Sequence, residues 1–320
     1  MSTSHTMKAL VYQGEGAMRL LDVPEPVLAD GDVMVHVVAV GVCGSDLALI
    51  RDGVPAIPPP LILGHEFGGR LANGDFAVVN PMLSCGVCAR CRAGRTHLCA
   101  ARKVLGFRRT GAYAERVAVP VRNVVPAPGL TPRQAALVEP IANGVHAFHR
   151  AGRPMERVAI IGAGSIGMCL MHVLVSAGVE DITVVDPLPE RLDHALAGGA
   201  RHVAATLQGE YEAVFDAAGT EGTRAAAVAC TLPGGAVALI GLHDDRVALS
   251  AAALVVGDRA LAGCFAYTEG EFAEAVRLAG TIDAPWAQSV PFAESEQAMQ
   301  ALLTGRGVPG RIKTIFAFDA

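Results

Sequence analysis

The chain has 320 residues, of which 52% are hydrophobic and 18% charged, a balance that excludes extended disorder and supplies enough apolar material for two buried cores. A formal net charge of −5 at pH 7 argues against a general nucleic-acid binder. Eight cysteines suit a reducing compartment, read here as the cytoplasm.

The stretch from Met1 to Met7 is polar, so no secretory leader is expected, and Lys8 opens the first strand-like run. From Met7 to about Pro126, short apolar runs (Lys8 to Tyr12, Asp32 to Val40, Phe76 to Val79, Ala114 to Val119) are broken by Gly and Pro turns. This predicts a mostly β region with its chemistry in the loops. Two glycine-lined segments carry ligand-type side chains: Gly41-Val-Cys43-Gly-Ser45-Asp46 and Gly64-His65-Glu66-Phe67-Gly68-Gly69. Thiolate and imidazole are good zinc ligands.

Cys85, Cys88, Cys91 and Cys99 follow at Cys-x2-Cys-x2-Cys-x7-Cys. Four converging thiolates make a closed tetrahedral Zn²⁺ site with no open position, so this metal is structural. A ferredoxin-type cluster asks for a last gap of three residues and a following proline; here the gap is seven and Ala100 follows. The run from Cys88 to Arg109 holds Arg90, Arg92, Arg95, Arg102, Lys103, Arg108 and Arg109 with no acid, which raises a rival reading as a zinc-containing nucleic-acid-binding protein. Phe107 is its sole aromatic residue, so a solvated face or an oligomer contact is the expectation.

From about Arg157 the rhythm becomes strand, turn and helix. Strands are expected at Arg157 to Ile161, Asp181 to Asp186, Ala213 to Asp216 and Ala236 to Leu242, with helices near Gly164 to Ala177, Glu190 to Ala197 and Glu221 to Cys230. Such alternation builds a parallel sheet covered on both faces. Val158 to Val179 is 22 residues without Asp, Glu, Lys or Arg, but its glycines divide it into strand, turn and helix, so no membrane span is expected.

Gly162-Ala-Gly164-Ser165-Ile166-Gly167 sits between a buried strand and a helix, the context a dinucleotide fingerprint requires. The helix N-terminus would face the pyrophosphate. Asp186, 22 residues after Gly164, would accept hydrogen bonds from the adenosine ribose and repel a 2′-phosphate. NAD is therefore favoured over NADP, with Arg191 close enough in sequence to blur the preference. After Ala284 an amphipathic helix near Ser295 to Leu303 and a last strand, Arg311 to Phe318, are expected to rejoin the first domain.

Together these motifs resemble the zinc-dependent medium-chain alcohol dehydrogenase family, from about Met7 to Phe318. Val138-Glu139-Pro140-Ile-Ala-Asn-Gly-Val-His146 resembles the Glu-Pro segment of the polyol, sorbitol and threonine dehydrogenase branch. Phe215-Asp216-Ala-Ala218-Gly219 and Ile240-Gly241-Leu242 match cofactor-side segments, so Ala218, Gly241 and Leu242 join the expected cofactor-binding residues. The resemblance implies an α/β protein: a Rossmann doubly wound parallel sheet over 145–284, and a GroES-like, mostly β catalytic domain over 1–144 that carries the structural zinc lobe and is completed by 285–320.

It further implies two Zn²⁺ per chain, one catalytic and one structural. Cys43 and His65 take the place of catalytic zinc ligands, and Glu66 that of the carboxylate alternating with water or substrate. Glu139 stands where the alcohol dehydrogenases use a second cysteine, and Ser45 is placed to relay the proton. The implied reaction moves hydride between a secondary alcohol (polyol, sugar alcohol, cyclitol or amino alcohol) and NAD, giving the ketone. The alternative on the same fold is an NADPH-dependent carbonyl reductase. Homodimers or homotetramers are the family expectation, with a small-molecule substrate and neither nucleic acid nor membrane as partner. Two features depart from the pattern. Ala48 stands where many members carry a relay histidine, leaving water, a ribose hydroxyl, Arg51 or Asp52 for proton exit. Only four residues join Gly69 to Gly74-Asp75, a shortening next to the active site.

Overall fold

The computed structural model describes residues 5–53, 57–152, 155–247, 249–308 and 310–319; the first four residues of the expected leaderless start lie outside it. The chain forms two compact units: Met1–Glu139 with Thr268–Thr281 and Ala287–Ala320, and Pro140–Tyr267 with Ile282–Trp286. Ala287–Ala320 groups with the first unit. Thr268–Thr281 also groups with the first unit, where the expectation was 145–284 for the nucleotide domain. The reason is packing: helix Glu269–Ala279 buries Phe272, Ala275 and Ala279, and Gln134 Nε2 donates to Gly280 O at 3.2 Å.

In the first unit the central strand is Asp32–Gly41. It pairs antiparallel with Glu66–Arg70, with Arg116–Pro120 and with the C-terminal strand Lys313–Ala317. Glu66–Arg70 turns directly into Phe76–Val79 with Gly69 opposite Ala77, so the short connection at Gly69 closes as a hairpin. Strands Thr6–Gly14, Ala17–Pro24 and Leu61–Ile62 make a separate small sheet. Between the sheets lies a core that includes Leu10, Val35, Phe67, Tyr113 and Phe316, which are all buried. Strand Thr6–Gly14 buries Ala9 to Tyr12 as a continuous run, matching the short apolar runs of the sequence.

The second unit holds six parallel strands in the order His202–Ala204, Asp181–Val185, Arg157–Ile161, Tyr211–Asp216, Thr231–Leu239, Ala260–Gly263. Numbered along the chain, that order is 3-2-1-4-5-6, the doubly wound arrangement. The direction of winding reverses between Arg157–Ile161 and Tyr211–Asp216, and a ligand crevice is expected outside the carboxyl ends there. Val158, Ala159, Ile160 and Val214 are fully buried, as a sheet covered on both faces requires. The charge-free stretch from Val158 resolves into strand Arg157–Ile161 and a 12-residue helix, Ser165–Ser176. Among the described residues no helix is long and apolar enough to cross a membrane.

Candidate active site

Cys43 caps the N-terminus of helix Gly44–Asp52, immediately after strand Asp32–Gly41. Glu66 begins the neighbouring strand and faces Gly41 across the antiparallel ladder, so pairing register brings the two glycine-lined segments together. Ligand atoms of Cys43, His65 and Glu66 all lie within 4.8 Å of one another. Cys43 is half-buried; His65 and Glu66 are buried. A thiolate, an imidazole and a carboxylate converging at this distance are a donor set suited to zinc. Ser45, exposed, donates its hydroxyl to Cys43 Sγ at 3.1 Å. Glu139 stands in the first turn of helix Val138–Ala151, half-buried, and is not a member of the 4.8 Å trio.

Asp46 organises the trio from below. Its carboxylate has no solvent exposure; Oδ2 accepts from the Tyr113 hydroxyl at 2.6 Å and from the Cys43 backbone N–H at 3.2 Å. Oδ1 lies 3.4 Å from His65 Nδ1, a charge contact rather than an aligned hydrogen bond. Burial alone would raise the Asp46 carboxyl, but the His65 imidazole and the hydrogen bonds hold it below its ordinary value. Burial alone would keep His65 neutral, yet the negative groups Asp46 and Cys43 push its pKa well above the ordinary value. Burial and the Asp46 charge together raise Tyr113 well above a free phenol, so it stays a donor to Asp46. This negative pocket favours a cation, and a metal would displace the imidazole proton. Asp46→Asn should weaken metal retention against a chelator and lower turnover, each by about 10–100-fold, with the melting temperature little changed.

Glu66 is also held. Its Oε2 is ion-paired with Lys313 Nζ from the C-terminal strand, and both side chains are buried. A Cβ on Gly41 would come within 2.5 Å of that oxygen and 2.7 Å of Lys313 Cε, so a side chain there would displace the pair. Gly64 serves His65 in the same way: with φ +94°, its missing Cβ would stand 2.6 Å from the Tyr113 ring.

The four-cysteine lobe forms the second metal-type cluster. Ligand atoms of Cys85, Cys88, Cys91 and Cys99 lie within 4.8 Å of one another, with Cys88 Sγ 3.5 Å and Cys85 Sγ 3.9 Å from Cys91 Sγ. Four sulfurs on one zinc at ~2.3 Å stand roughly 3.8 Å apart, so the spacing fits a metal. All eight cysteines are free thiols. Backbone N–H groups of Val87 and Cys88 lower the Cys85 thiol to about 6, towards thiolate, while burial raises Cys91 to about 11. Asn123 Nδ2 ties the base of the lobe to Asn80 O and Met82 O.

In the second unit a cavity of about 630 Å³ opens at the switch point, lined by residues that include Gly162, Gly164, Asp186, Arg191, Ala218 and Thr223. Gly164 caps helix Ser165–Ser176, and a Cβ there would meet nothing within 4 Å, so the cradle above the helix N-terminus is open. Ser165 Oγ in the first turn is buried with no hydrogen-bond partner. Open space beside the N–H groups of the helix's first turn fits a pyrophosphate. Asp186 is buried and already structured: Oδ2 accepts from Ala163 N at 2.9 Å, Oδ1 from Leu188 N at 3.0 Å, and Arg191 Nη1 lies 3.4 Å away.

Ser165, Ile166, Gly167, Gly241 and Leu242 do not line this cavity. Gly167 packs instead on Gly162, whose carbonyl oxygen would lie 1.9 Å from an added Cβ. Strand Thr231–Leu239 ends before Gly241, and Leu242, 85% exposed, points to solvent. Sequence reading gave no role to Asp46, Tyr113, Lys313, Thr223 or His243. Asp46 alone carried a local signal, an acid three residues after a helix-capping ligand.

Residues 29–129 match the family described as alcohol dehydrogenase GroES-like domain, and residues 165–281 the family described as zinc-binding dehydrogenase. An L-threonine 3-dehydrogenase of Streptomyces avermitilis is 34% identical over 307 residues, 87% of this chain and 90% of that protein. An L-galactonate-5-dehydrogenase of Escherichia coli is 29% identical over 297 residues, 85% and 87% of the two chains. The crystal structure of galactitol-1-phosphate dehydrogenase from Escherichia coli superposes with a TM-score of 0.88 at 27% identity, covering 97% of this chain and 100% of that one. With both metal-type clusters and a dinucleotide cleft in place, this chain belongs to the zinc-dependent medium-chain alcohol dehydrogenase family.

Proposed function

We propose that the protein is a zinc- and NAD-dependent dehydrogenase that interconverts a polar secondary alcohol with its ketone. The observation that carries the reading is the buried trio Cys43, His65 and Glu66 in a chain that also builds a dinucleotide cleft. Its relatives are named for L-galactonate, L-threonine and galactitol 1-phosphate, all polar and hydroxylated. A polyol, sugar alcohol, cyclitol or amino alcohol is the proposed class. Zinc held by Cys43 and His65, with Glu66 and Glu139 as proposed carboxylate partners, would supply Lewis acidity to a substrate hydroxyl, and NAD the hydride acceptor.

The chain's own groups set the conditions. Asp46 and Tyr113 fix the His65 ring, and Lys313 restrains Glu66. Ser45, exposed beside Cys43, is the proposed proton relay; its exposure supports release to water, one of the exits open where Ala48 replaces a histidine. The fixed charge of Asp186 favours a ribose hydroxyl over a 2′-phosphate, and its contact with Arg191 occupies the guanidinium that NADP would need.

We further propose a homodimer or homotetramer in a reducing, cytoplasmic compartment. Exposed Val255, Val256, Leu261 and Phe265 cluster in sequence around the edge strand Ala260–Gly263, and every cysteine is a free thiol. The deciding experiment measures zinc per chain and screens secondary alcohols and polyols with NAD and NADP by nicotinamide absorbance. Two zincs and NAD-linked oxidation are expected. Turnover confined to NADPH and ketones would favour the carbonyl reductase, and no turnover with one zinc would sink both. Light scattering on the eluting protein tests the oligomer.

A further inference from the structure

The loop after strand Thr231–Leu239 is fastened at both ends by one buried guanidinium. Arg224, on helix Glu221–Ala229, is 6% exposed; Nη2 donates to Gly241 O at 3.2 Å and Nη1 to Arg246 O at 2.9 Å. Burying a guanidinium is costly unless its donors are used, and these are used on carbonyls five residues apart in one loop. Asp244 adds a second fastening from inside the loop. Its N–H donates to Gly219 O at 3.0 Å, and its Oδ2 accepts from Glu221 N, the first helical residue, at 2.8 Å. Gly241 lies so close beneath that an added Cβ would stand 2.4 Å from Ala218 C. Between these anchors sits His243, exposed and lining the same cavity as Gly162, Gly164 and Asp186.

We infer that Arg224 and Asp244 form a latch that holds His243 at the rim of the dinucleotide cleft, making His243 a cofactor-binding residue and Arg224 its positioning residue. The inference rests on the reading of this cleft as the NAD site. The cavity wall near the helix, including Ala217, Ala218, Thr220 and Ala226, is built of small groups that supply shape. An imidazole held at the rim adds an N–H donor suited to the ribose and phosphate oxygens that cross it. A free loop would have to pay the ordering entropy at each binding event; a latched one has already done so.

The test is a double-mutant cycle on the full zinc-loaded chain, read by NADH fluorescence titration and by calorimetry with ADP-ribose. His243→Ala and Arg224→Met should each weaken NADH binding about tenfold, the scale of one hydrogen bond to a charged group. In the double variant the losses should not add, because Arg224 acts through His243. Asp244→Ala, which removes the acceptor for Glu221 N, stands in if Arg224→Met fails to fold, and Arg224→Lys should restore part of the affinity. Wild-type protein that bound no NADH would overturn the dehydrogenase reading and the latch with it. Normal wild-type binding with unchanged variants, or with losses that add fully, would overturn the latch alone.

Discussion

Replacing Cys43 by alanine is expected to remove one zinc per chain and to lower kcat/KM for an alcohol by about a thousandfold or more, with the fold retained. Lewis-acid stabilisation is worth several kcal/mol, and ~1.4 kcal/mol is a factor of ten in rate. Cys43 is the least replaceable member of the trio. Glu66 is bound into its pair with Lys313, and His65 already supplies its imidazole to the trio, so neither substitutes for a thiolate. The structural cost is small, because Cys43 is half-buried, its Sγ accepts from the exposed Ser45 hydroxyl, which water can satisfy instead, and the Asp46 bond to its backbone N–H stays in place. Elemental analysis, a melting curve and steady-state kinetics on the purified variant check the three parts together. Two zincs with normal turnover would remove Cys43 from the active site.

How much of this was legible in the sequence depended on how local each interaction is. The four-cysteine lobe and the Gly162-Ala-Gly164 turn are written within short segments; the structure gathers the four sulfurs and sets Gly164 at the cap of helix Ser165–Ser176. Pairing register is less local, yet the glycine-lined segments around Cys43 and His65 pointed to one site because each carried a ligand type. What escaped is set by distance along the chain. Tyr113 reaches Asp46 across 67 residues and Lys313 reaches Glu66 across 247, and nothing near either residue announces the contact. The end of strand Thr231–Leu239 was less legible: it falls three residues before the expected Leu242, which stands 85% exposed in the loop beyond it. Motifs name the residues that touch a ligand, while the groups that orient them are chosen by tertiary packing.

Cys99→Ser is expected to remove the other zinc and to loosen the lobe from Ser84 to Leu105, with a lower melting temperature and a new protease-sensitive site in that segment. Cys99 has no solvent exposure, and serine is a poor zinc ligand, so a three-thiolate remnant would bind far less tightly. Little else holds the lobe: short turns at Ala89–Arg92 and Thr96–Leu98, a two-residue strand pair between Met82–Leu83 and Lys103–Val104, and hydrogen bonds at its base from Arg122 and Asn123. A segment with so small a core depends on metal-binding free energy for its order, so several kcal/mol of local stability should go with the ion. Turnover should fall as well, by roughly tenfold, although no ligand of the catalytic trio is touched. The link is physical. Phe107 follows the lobe's last strand and packs its ring 5.3 Å from His65, and an added Cβ on Gly106 would stand only 2.9 Å from Gly64 N, so that a displaced lobe withdraws the wall behind the imidazole. Loss of zinc with full protease resistance and full activity would show that the lobe folds on its own contacts. Loss of zinc with cleavage inside Ser84 to Leu105 and a fall in kcat would show that the structural metal supports the catalytic one through Phe107.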